Sequence, residues 1–251
     1  MAKQSGIIKL EGTIGDITFY KSQDGLLARA KGGVDAKRIQ NDAAFQRTRE
    51  NGEEFGRAGA AGKLLRLAFR NFLQNASDSK MVSRLTKEMM VVVKADATST
   101  RGQRNVLDGE LELLDGFDFN INGKLSSTLF QAFTATIDRA TGALRVNIPA
   151  FSPANAIASP EGATHLRFVS GGASINFEAG TFEAVTSQSA DIAIGEAPVA
   201  AVELLNQLAA NSTNPLFLAL GIEFYQQVNG QNYTLKNGQY NAMALARVLG
   251  I

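Results

Sequence analysis

The chain has 251 residues, of which 45% are hydrophobic and 20% are charged, so it can bury a sizeable core in one large domain or two ordinary ones. It has no cysteine and one histidine, His165, which excludes disulfides, thiolate metal sites and thiol nucleophiles and leaves little for imidazole chemistry. The sequence shows neither an apolar run of 18 residues nor a basic-then-apolar leader, so we expect cytoplasmic synthesis and no membrane partner.

The net charge of +1 conceals a division between two halves of the sequence. Residues 1–104 hold 19 Lys and Arg against 11 Asp and Glu, whereas residues 105–251 hold 6 against 13. Such asymmetry indicates either binding to a polyanion, such as nucleic acid, or contacts between complementary subunit surfaces. Two unrelated solvated surfaces are the simpler alternative.

The first predicted element is a β-hairpin arm over residues 1–33. Apolar and polar side chains alternate in it around Asp24-Gly25, a pair suited to a tight turn, which predicts two or three short strands. Because isolated hairpins are marginal in water, the arm must pack on the rest of its own chain or add strands to a neighbouring subunit. The residues expected to make this contact are Ile14, Ile17, Phe19, Tyr20 and Leu26.

A basic helical region is predicted over residues 34–109. Capping residues and apolar spacings of three and four predict one helix over about 41–75 and a second over about 77–94. The polar stretch 95–109 is typical of a connector, and we place the main domain boundary at its end.

Four glycines recur in the first predicted helix at spacings of four, three and three. They are Gly52, Gly56, Gly59 and Gly62. Each glycine costs about 1 kcal/mol against alanine in a helix interior, so the set predicts compensation by a close approach of another helix or strand. A partly flexible loop is the alternative.

The basic residues of this region are the largest coherent charged feature. On one face they would bind phosphates through counterion release, although Glu50, Glu53 and Glu54 interrupt them and no RNA-binding sheet motif or zinc finger occurs. An acidic β surface of a neighbouring subunit is the other ligand that they suit. The polyanion contacts would come from Arg66, Arg70, Arg84 and Lys87.

Residues 110–251 predict an acidic β-sandwich of the immunoglobulin or fibronectin type III kind, which makes the whole chain α+β. The absence of a cysteine pair and of tryptophan restricts this prediction to architecture. Residues 200–210 could form a helical insertion or a strand and turn. Three dipeptides predict tight hairpins, namely Asn122-Gly123, Asn229-Gly230 and Asn237-Gly238.

Two short matches to ligand-binding loops are discounted. Asp118 to Gly123 reproduces the start of a calcium loop, but Leu129 stands where the bidentate glutamate is required. Gly62-Lys63 ends like a phosphate-binding loop, but Arg57 replaces the first glycine and Leu64 the Ser or Thr. We predict no metal and no cofactor.

The candidate catalytic residues are explained better by structure. Ser77 and Lys80 have the Ser-x-x-Lys spacing of a serine acyltransferase without its partner motif, and Ser77 suits a helix cap. His165 lies in a predicted strand with no nucleophile motif beside it. Glu110 and Glu112 share a strand face that is expected to be solvated. We therefore predict no enzyme and no small-molecule substrate.

Two segments, GTIGDITFYKSQDGLLARAKGGVD and the following FQRTRENGEEFGRAG, resemble an uncharacterised family of Bacteroidota proteins that share such a hairpin and glycine-bearing helical segment. The similarity extends into the β-rich half at THLRFVS and NPLFLALGIEFYQ. It implies a natural protein with this two-part layout. It implies no activity and transfers no catalytic or binding residue.

These features lead to one main hypothesis and two alternatives. The main hypothesis is a self-assembling structural protein, the subunit of a phage-like particle, tube or filament, whose arm adds strands to a neighbour while basic helices meet acidic β surfaces. Such a subunit could be synthesised in the cytoplasm and leave the cell in a released particle. The alternatives are a protein that binds nucleic acid or another polyanion and an adhesion or carbohydrate-binding module.

Overall fold

A computed structural model describes residues 2–30 and 33–251 of the chain. Their contacts define two units that divide after Arg49, called the first and second units below. Helices combine with several antiparallel sheets, and most strands lie in the C-terminal half, as expected for an α+β chain. The predicted boundary at residue 109 does not coincide with this division, because residues on both sides of it share one hydrophobic cluster.

The first unit contains a four-stranded antiparallel sheet in the order β1-β4-β3-β2. The strands are β1 Ala2–Lys3, β2 Gly12–Ile14, β3 Ile17–Ser22 and β4 Gly25–Ala30. The predicted turn is present, with Ser22 opposite Gly25 and a positive φ of 109° at Gly25. A second turn that the sequence analysis did not identify uses Gly15, also at positive φ, to join β2 to β3. Residues 31 and 32, the end of the predicted arm, lie outside the described residues.

The helical region is divided into more pieces than predicted. The helices are α1 Ala36–Asn41, α2 Gln46–Ala68, α3 Arg70–Leu73 and α4 Met81–Ala95, with a 3-10 turn at Ala43–Phe45. Asp35 caps α1 by accepting a hydrogen bond from the Lys37 backbone N–H at 2.7 Å, and the extended backbone of Asp42 ends this helix. Phe69 has φ −100° and ψ 19°, which interrupts the predicted continuous helix between α2 and α3.

The remaining elements belong to the second unit. Its short helices are α5 Leu125–Thr128 and α6 Pro153–Ala156. Its strands are β5 Thr134–Asp138, β6 Ala143–Ile148, β7 His165–Asn176, β8 Thr181–Gln188, β9 Ile192–Ala193, β10 Val202–Gln207, β11 Leu216–Val228, β12 Gln231–Thr234 and β13 Ala242–Leu249. None of the helices in the described residues has the length and apolar character that crossing a membrane requires.

Two antiparallel sheets organise the second unit. In the six-stranded sheet β7 and β11 pair at the centre, from Ser174 opposite Leu216 to His165 opposite Tyr225. Strands β12 and β13 follow one another along the free edge of β11, and β8 and β9 follow one another along the free edge of β7. The second sheet has three strands in the order β10-β6-β5.

The central strands β7 and β11 of the six-stranded sheet are buried on both faces over most of their length. Odd-numbered residues such as Val169 and Phe217 pack with α2 and α4, whereas even-numbered residues such as Phe168 and Leu218 pack with the three-stranded sheet. Burial on both sides explains why residues 216–222 form an unbroken apolar run instead of alternating with polar residues.

Adjacent glycines in β7 allow both layers to approach the central sheet closely. A Cβ on Gly171 would lie 2.6 Å from the ring of Phe72 on the helical side, and one on Gly172 would lie 2.9 Å from Asn206 Cβ on the other. Strand β7 can therefore be buried on both faces because Gly171 and Gly172 at its centre have no side chains.

One of the three predicted hairpins is confirmed and two are wrong. Asn229-Gly230 joins β11 to β12 with positive φ at both residues. Asn122-Gly123 instead precedes α5, where a Cβ on Gly123 would collide with the Tyr240 carbonyl at 2.6 Å. Asn237-Gly238 lies in the segment that joins β12 to β13. Both strands pair with β11, one after the other along the same edge, so this segment is not the turn of a hairpin. Residues 200–210 contain strand β10 and no helix.

Candidate functional site

The sheet of the first unit has one apolar and one polar face. Residues opposite each other in neighbouring strands share a face, which places Ile14 beside Ile17, Phe19 beside Ala28, and Leu26 beside Lys21. Four of the five residues expected to form the assembly arm therefore lie on the apolar face. The fifth, Tyr20, lies on the polar face, where the Arg29 guanidinium sits 5.6 Å from its ring centroid.

The apolar residues of this face are exposed or half-buried, and Phe19 and Leu26 belong to the half-buried ones. Ile14 is 63% exposed and Ile17 is 46% exposed, and no described residue of the first unit is fully buried. The segment between β1 and β2 adds Ile7 and Ile8, which are also fully or largely exposed. A four-stranded sheet that leaves its apolar residues in water lacks the burial that usually stabilises such a sheet.

The four predicted close-packing glycines differ in their surroundings. A Cβ on Gly62 would contact Leu85 at 3.6 Å and Met89 at 3.8 Å, so α2 and α4 pack closely there. The same atom on Gly52, Gly56 or Gly59 would meet nothing within 4 Å. Within the described residues, close packing therefore accounts for Gly62 alone, and the alternative of a loop is wrong because all four lie in α2.

The predicted polyanion-binding residues do not form one equivalent set. The Arg84 guanidinium donates to the backbone carbonyls of Asp118 and Phe119 and pairs with the Asp78 carboxylate. It also stacks 5.2 Å from the centroid of the Phe117 ring. Arg84 therefore holds the segment after the connector against α4 through its two terminal nitrogens, whereas its buried Nε has no hydrogen-bond partner among the described residues.

Arg66 and Arg70 lie together with Lys63 along one groove on α2 and α3. The groove has a volume of about 380 Å³ and an apolar floor that includes Leu67 and Met81. Arg66 makes one hydrogen bond, to the Gly62 carbonyl of its own helix, and Arg70 is exposed. Lys87 is exposed on α4, with Glu88 3.9 Å away. Of the four predicted cations, Arg66 and Arg70 therefore lie together, and Lys63, which was not predicted, lies beside them.

The connector over residues 95–109 is held in place by buried carboxylates. Asp96 is 4% exposed and accepts hydrogen bonds from the backbone N–H groups of Thr98, Ser99 and Asn105. Burial by itself would raise the pKa of Asp96, but these hydrogen bonds outweigh it and hold the pKa well below its usual range.

Glu54 in α2 anchors the other side of the connector. It is 1% exposed and accepts from the Gly102 N–H and from Arg104 Nε, each at 2.8 Å. Burial opposes its charged form, yet these two donors lower its pKa. Glu54 thus neutralises one of the basic residues, and Arg57 is also used internally by donating to the Gly102 and Arg104 carbonyls.

The residues of the discounted calcium loop make internal hydrogen bonds. Asp118 Oδ1 accepts from the Leu125 N–H, and burial raises the pKa of this carboxyl. Asn120 donates to the carbonyls of Gln239 and Asn241, which joins the loop to the end of the chain. No cluster of three or more metal-ligating side chains occurs in residues 2–30 and 33–251.

The other discounted residues also have structural contacts. Ser77 donates to the Leu73 carbonyl at 2.7 Å and does not act as the predicted cap of α4, which begins at Met81. Glu112 accepts from the Gly250 N–H at 2.7 Å, whereas Glu110 is exposed. His165 is half-buried in β7 with its Nδ1 3.0 Å from Thr164 Oγ1.

Sequence reasoning missed a polar cluster on the helix-side face of the six-stranded sheet. Arg167 pairs with Asp191 at 2.6 Å and lies 5.1 Å from the ring centroid of Tyr225, whose hydroxyl donates to Glu223 at 2.5 Å. Burial, with the Glu223 carboxylate beside it, raises the pKa of Tyr225. The charges are paired with one another, so the cluster is arranged as a structural network.

A groove of the second unit lies between α2, residues 103–108 and the turn from β7 to β8. It has a volume of about 1000 Å³, and Lys63, Leu64 and Phe177 are among its lining residues. The cations and carboxylates around it include Arg57, which already binds the connector. The described residues that line it include no serine, threonine, cysteine or histidine.

Comparison with protein-family models, curated proteins and solved structures finds no match to this chain.

Proposed function

We propose that this chain is a structural self-assembly protein, a homo-oligomeric subunit of a phage-like particle, tube or filament, in which the first unit docks on a neighbouring copy. One observation carries the proposal: the sheet of the first unit gathers four apolar residues on one face, where Ile14 and Ile17 are exposed and Phe19 and Leu26 are only half-buried. An exposed contiguous apolar surface of this kind is typical of an interaction site.

A neighbouring copy is the partner that this proposal favours. Homo-oligomers are the commonest assemblies of soluble chains, and an arm that exchanges between copies is a low-cost route to them. The excess of positive charge in residues 1–104 and of negative charge in residues 105–251 supports attraction between unlike halves of two copies. Release of the assembled particle from the cell belongs to the same proposal.

For the β-rich part we propose an immunoglobulin or fibronectin type III-like sandwich at the level of architecture. Two antiparallel sheets that pack through the hydrophobic cluster containing Phe168, Leu144 and Leu218 support it. The helices on the outer face of the six-stranded sheet depart from that architecture, in which both outer faces are free of helices.

The test is the solution mass of the full chain by light scattering over a range of concentration and salt. The double variant Ile14→Lys/Ile17→Lys charges the apolar face, and Thr13→Lys/Thr18→Lys adds the same charges to the polar face of the same two strands. We expect a mass above the 26.8 kDa of one chain for the wild type and the polar-face variant, and a large decrease for the apolar-face variant. A wild-type monomer throughout, or equal effects of both variants, would overturn the proposal.

The second candidate function is polyanion binding by the basic helical region. The groove shared by Lys63, Arg66 and Arg70 favours it, because three cations line one surface. Lys63→Gln/Arg70→Gln should weaken binding to double-stranded DNA and reduce its dependence on salt, while Arg84→Gln should act through stability. Absence of DNA binding by the wild type at 50 mM salt would remove this candidate.

A further inference from the structure

Strand β8 is an edge strand whose outward backbone groups can be identified from the hydrogen-bond pattern. Ser189 N donates to the Phe168 carbonyl at 2.9 Å and Ile175 N donates to the Pro215 carbonyl at 3.1 Å. In an antiparallel ladder successive residues direct their N–H and C=O to opposite sides, so even-numbered residues of β7 bond to β8 and odd-numbered ones to β11.

The same alternation assigns the backbone of β8. Residues 181, 183, 185 and 187 lie opposite even-numbered residues of β7 and bond to them. Phe182, Ala184, Thr186 and Gln188 consequently direct their N–H and C=O away from the sheet. Among the described residues β7 is the one strand that pairs with β8, and it lies on the other side of β8 from these outward groups.

Native proteins usually protect such an edge, and this chain protects the opposite edge of the same sheet. There the segment 116–119 bonds along β13, through Gly116 N to the Leu245 carbonyl and Phe119 N to the Met243 carbonyl, each at 2.8 Å. Strand β8 has no such cover, contains eight residues without proline, and carries one charge, Glu183. Long edge strands with few charges favour pairing with another strand.

The sequence of β8 is compatible with pairing to itself about a twofold axis perpendicular to the sheet. With Val185 on the axis, Ala184 lies opposite Thr186 of the second copy and Phe182 lies opposite Gln188. All four outward residues of each copy then find partners, which gives about eight main-chain hydrogen bonds across the contact. Glu183 lies opposite Ser187 of the second copy, so the only charge in the strand meets no like charge.

We propose that β8 is a second self-association surface, at which two copies join their six-stranded sheets into one continuous antiparallel sheet. It is independent of the apolar face of the first unit and goes beyond the function proposed for that face. An isologous contact of this kind closes after two copies, whereas a second, different contact on each copy extends the assembly. Together the two surfaces would convert dimers into a larger particle or filament.

The test uses the full chain carrying Ile14→Lys/Ile17→Lys, so that contacts through the apolar face are removed. Ala184→Pro removes an outward N–H of β8, and the matched Ala135→Pro removes an outward N–H of β5, the open edge of the three-stranded sheet. The Leu208 N–H donates to the Gly142 carbonyl, so even-numbered residues of β6 bond to β10 and odd-numbered ones bond to β5. Even-numbered residues of β5 therefore bond to β6, and the N–H of Ala135 points away from the sheet. Proline is tolerated at edge positions whose N–H is free.

Sedimentation velocity should give twice the mass of 26.8 kDa for the background chain and for Ala135→Pro, and the mass of one chain for Ala184→Pro. If circular dichroism shows that Ala184→Pro has lost its sheet, Thr186→Lys replaces it, since an edge lysine opposes pairing without changing the backbone. A background chain that is monomeric up to high concentration, or Ala135→Pro acting as strongly as Ala184→Pro, would overturn the β8 contact. Either result concerns the β8 contact alone. The function proposed for the first unit is tested separately, by the effect of Ile14→Lys/Ile17→Lys on the mass of the wild-type assembly.

Discussion

The two units use the same alternation of apolar and polar residues with opposite results. In the second unit, alternation along β7 and β11 places apolar residues in two clusters, and Phe168 and Phe217 are fully buried. In the first unit, alternation along β3 and β4 gathers apolar residues on one face, and none of its described residues is buried. A sheet becomes stable through the layer that covers it. We propose that the first unit obtains this layer by docking on a neighbouring copy.

The largest effect that separates the units is expected from removing an aromatic ring. Phe217→Ala in the second unit should lower the free energy of unfolding by about 4 kcal/mol, because the side chain is fully buried and packs edge-on against Phe177 with ring centroids 6.1 Å apart. Phe19→Ala in the first unit should lower it by less than about 1 kcal/mol in dilute solution. Urea unfolding of both variants at low protein concentration makes the comparison, and similar losses would contradict it.

A smaller effect is expected from the carboxylate that holds the connector. Asp96→Asn should destabilise the second unit by about 2 kcal/mol at pH 7, because a charged acceptor of several backbone N–H groups becomes a neutral one. Urea unfolding measures this loss, with Glu161→Gln, an exposed carboxylate in the same unit, as the control.

The pH dependence of the same variant gives an independent check. The pKa of Asp96 is lower in the folded chain than in the unfolded chain, so its contribution is complete above the unfolded pKa of about 4 and is lost as the pH falls towards the folded pKa. The difference in unfolding free energy between wild type and Asp96→Asn should therefore shrink between about pH 5 and pH 2. A constant difference over that interval would show that the carboxylate charge is not responsible.

The smallest effect is expected at an open glycine of α2. Gly56→Ala should raise the free energy of unfolding by up to about 1 kcal/mol, because alanine favours the helix and its Cβ meets nothing within 4 Å. If the glycines also provide a close approach for another copy, this stabilised variant should assemble less well than the wild type by light scattering. Gly62→Ala is the comparison, because its Cβ would contact Leu85 inside the chain. Loss of stability in Gly56→Ala would contradict the open surroundings found for this residue.

Local pattern predicted the helix and strand content of the two halves and the face shared by four of the five arm residues, but it did not predict the break in the first helix or the face of Tyr20. Alternation with a period of two placed Ile14, Ile17, Phe19 and Leu26 together, and an Asn-Gly pair identified the turn at residue 229. The α+β class follows from the same local signals.

Contacts distant in sequence explain what local pattern could not predict. Leu65 of α2 and Leu111 after the connector are buried in one cluster with β7 and β11, so the hydrophobic core continues across the predicted boundary at 109. Asn237-Gly238 is a dipeptide typical of tight hairpin turns, yet the strand that follows it, β13, pairs with β11. Gly238 is required there because a Cβ would lie 2.2 Å from the Asn75 carbonyl. Arg84 could be recognised as a structural residue only once Asp118 and Phe119 were seen beside it.

The stabilisation of the first unit by docking is tested most directly by hydrogen–deuterium exchange of the backbone amides of β3 and β4. The exchange rates are measured at increasing concentrations of the wild-type chain. If the first unit is stabilised by docking on a neighbouring copy, these amides should exchange rapidly in dilute solution and become protected on assembly, while amides of β7 and β11 stay protected throughout. Equal protection of β3 and β4 at all concentrations would contradict the claim that the first unit acquires its covering layer from another copy.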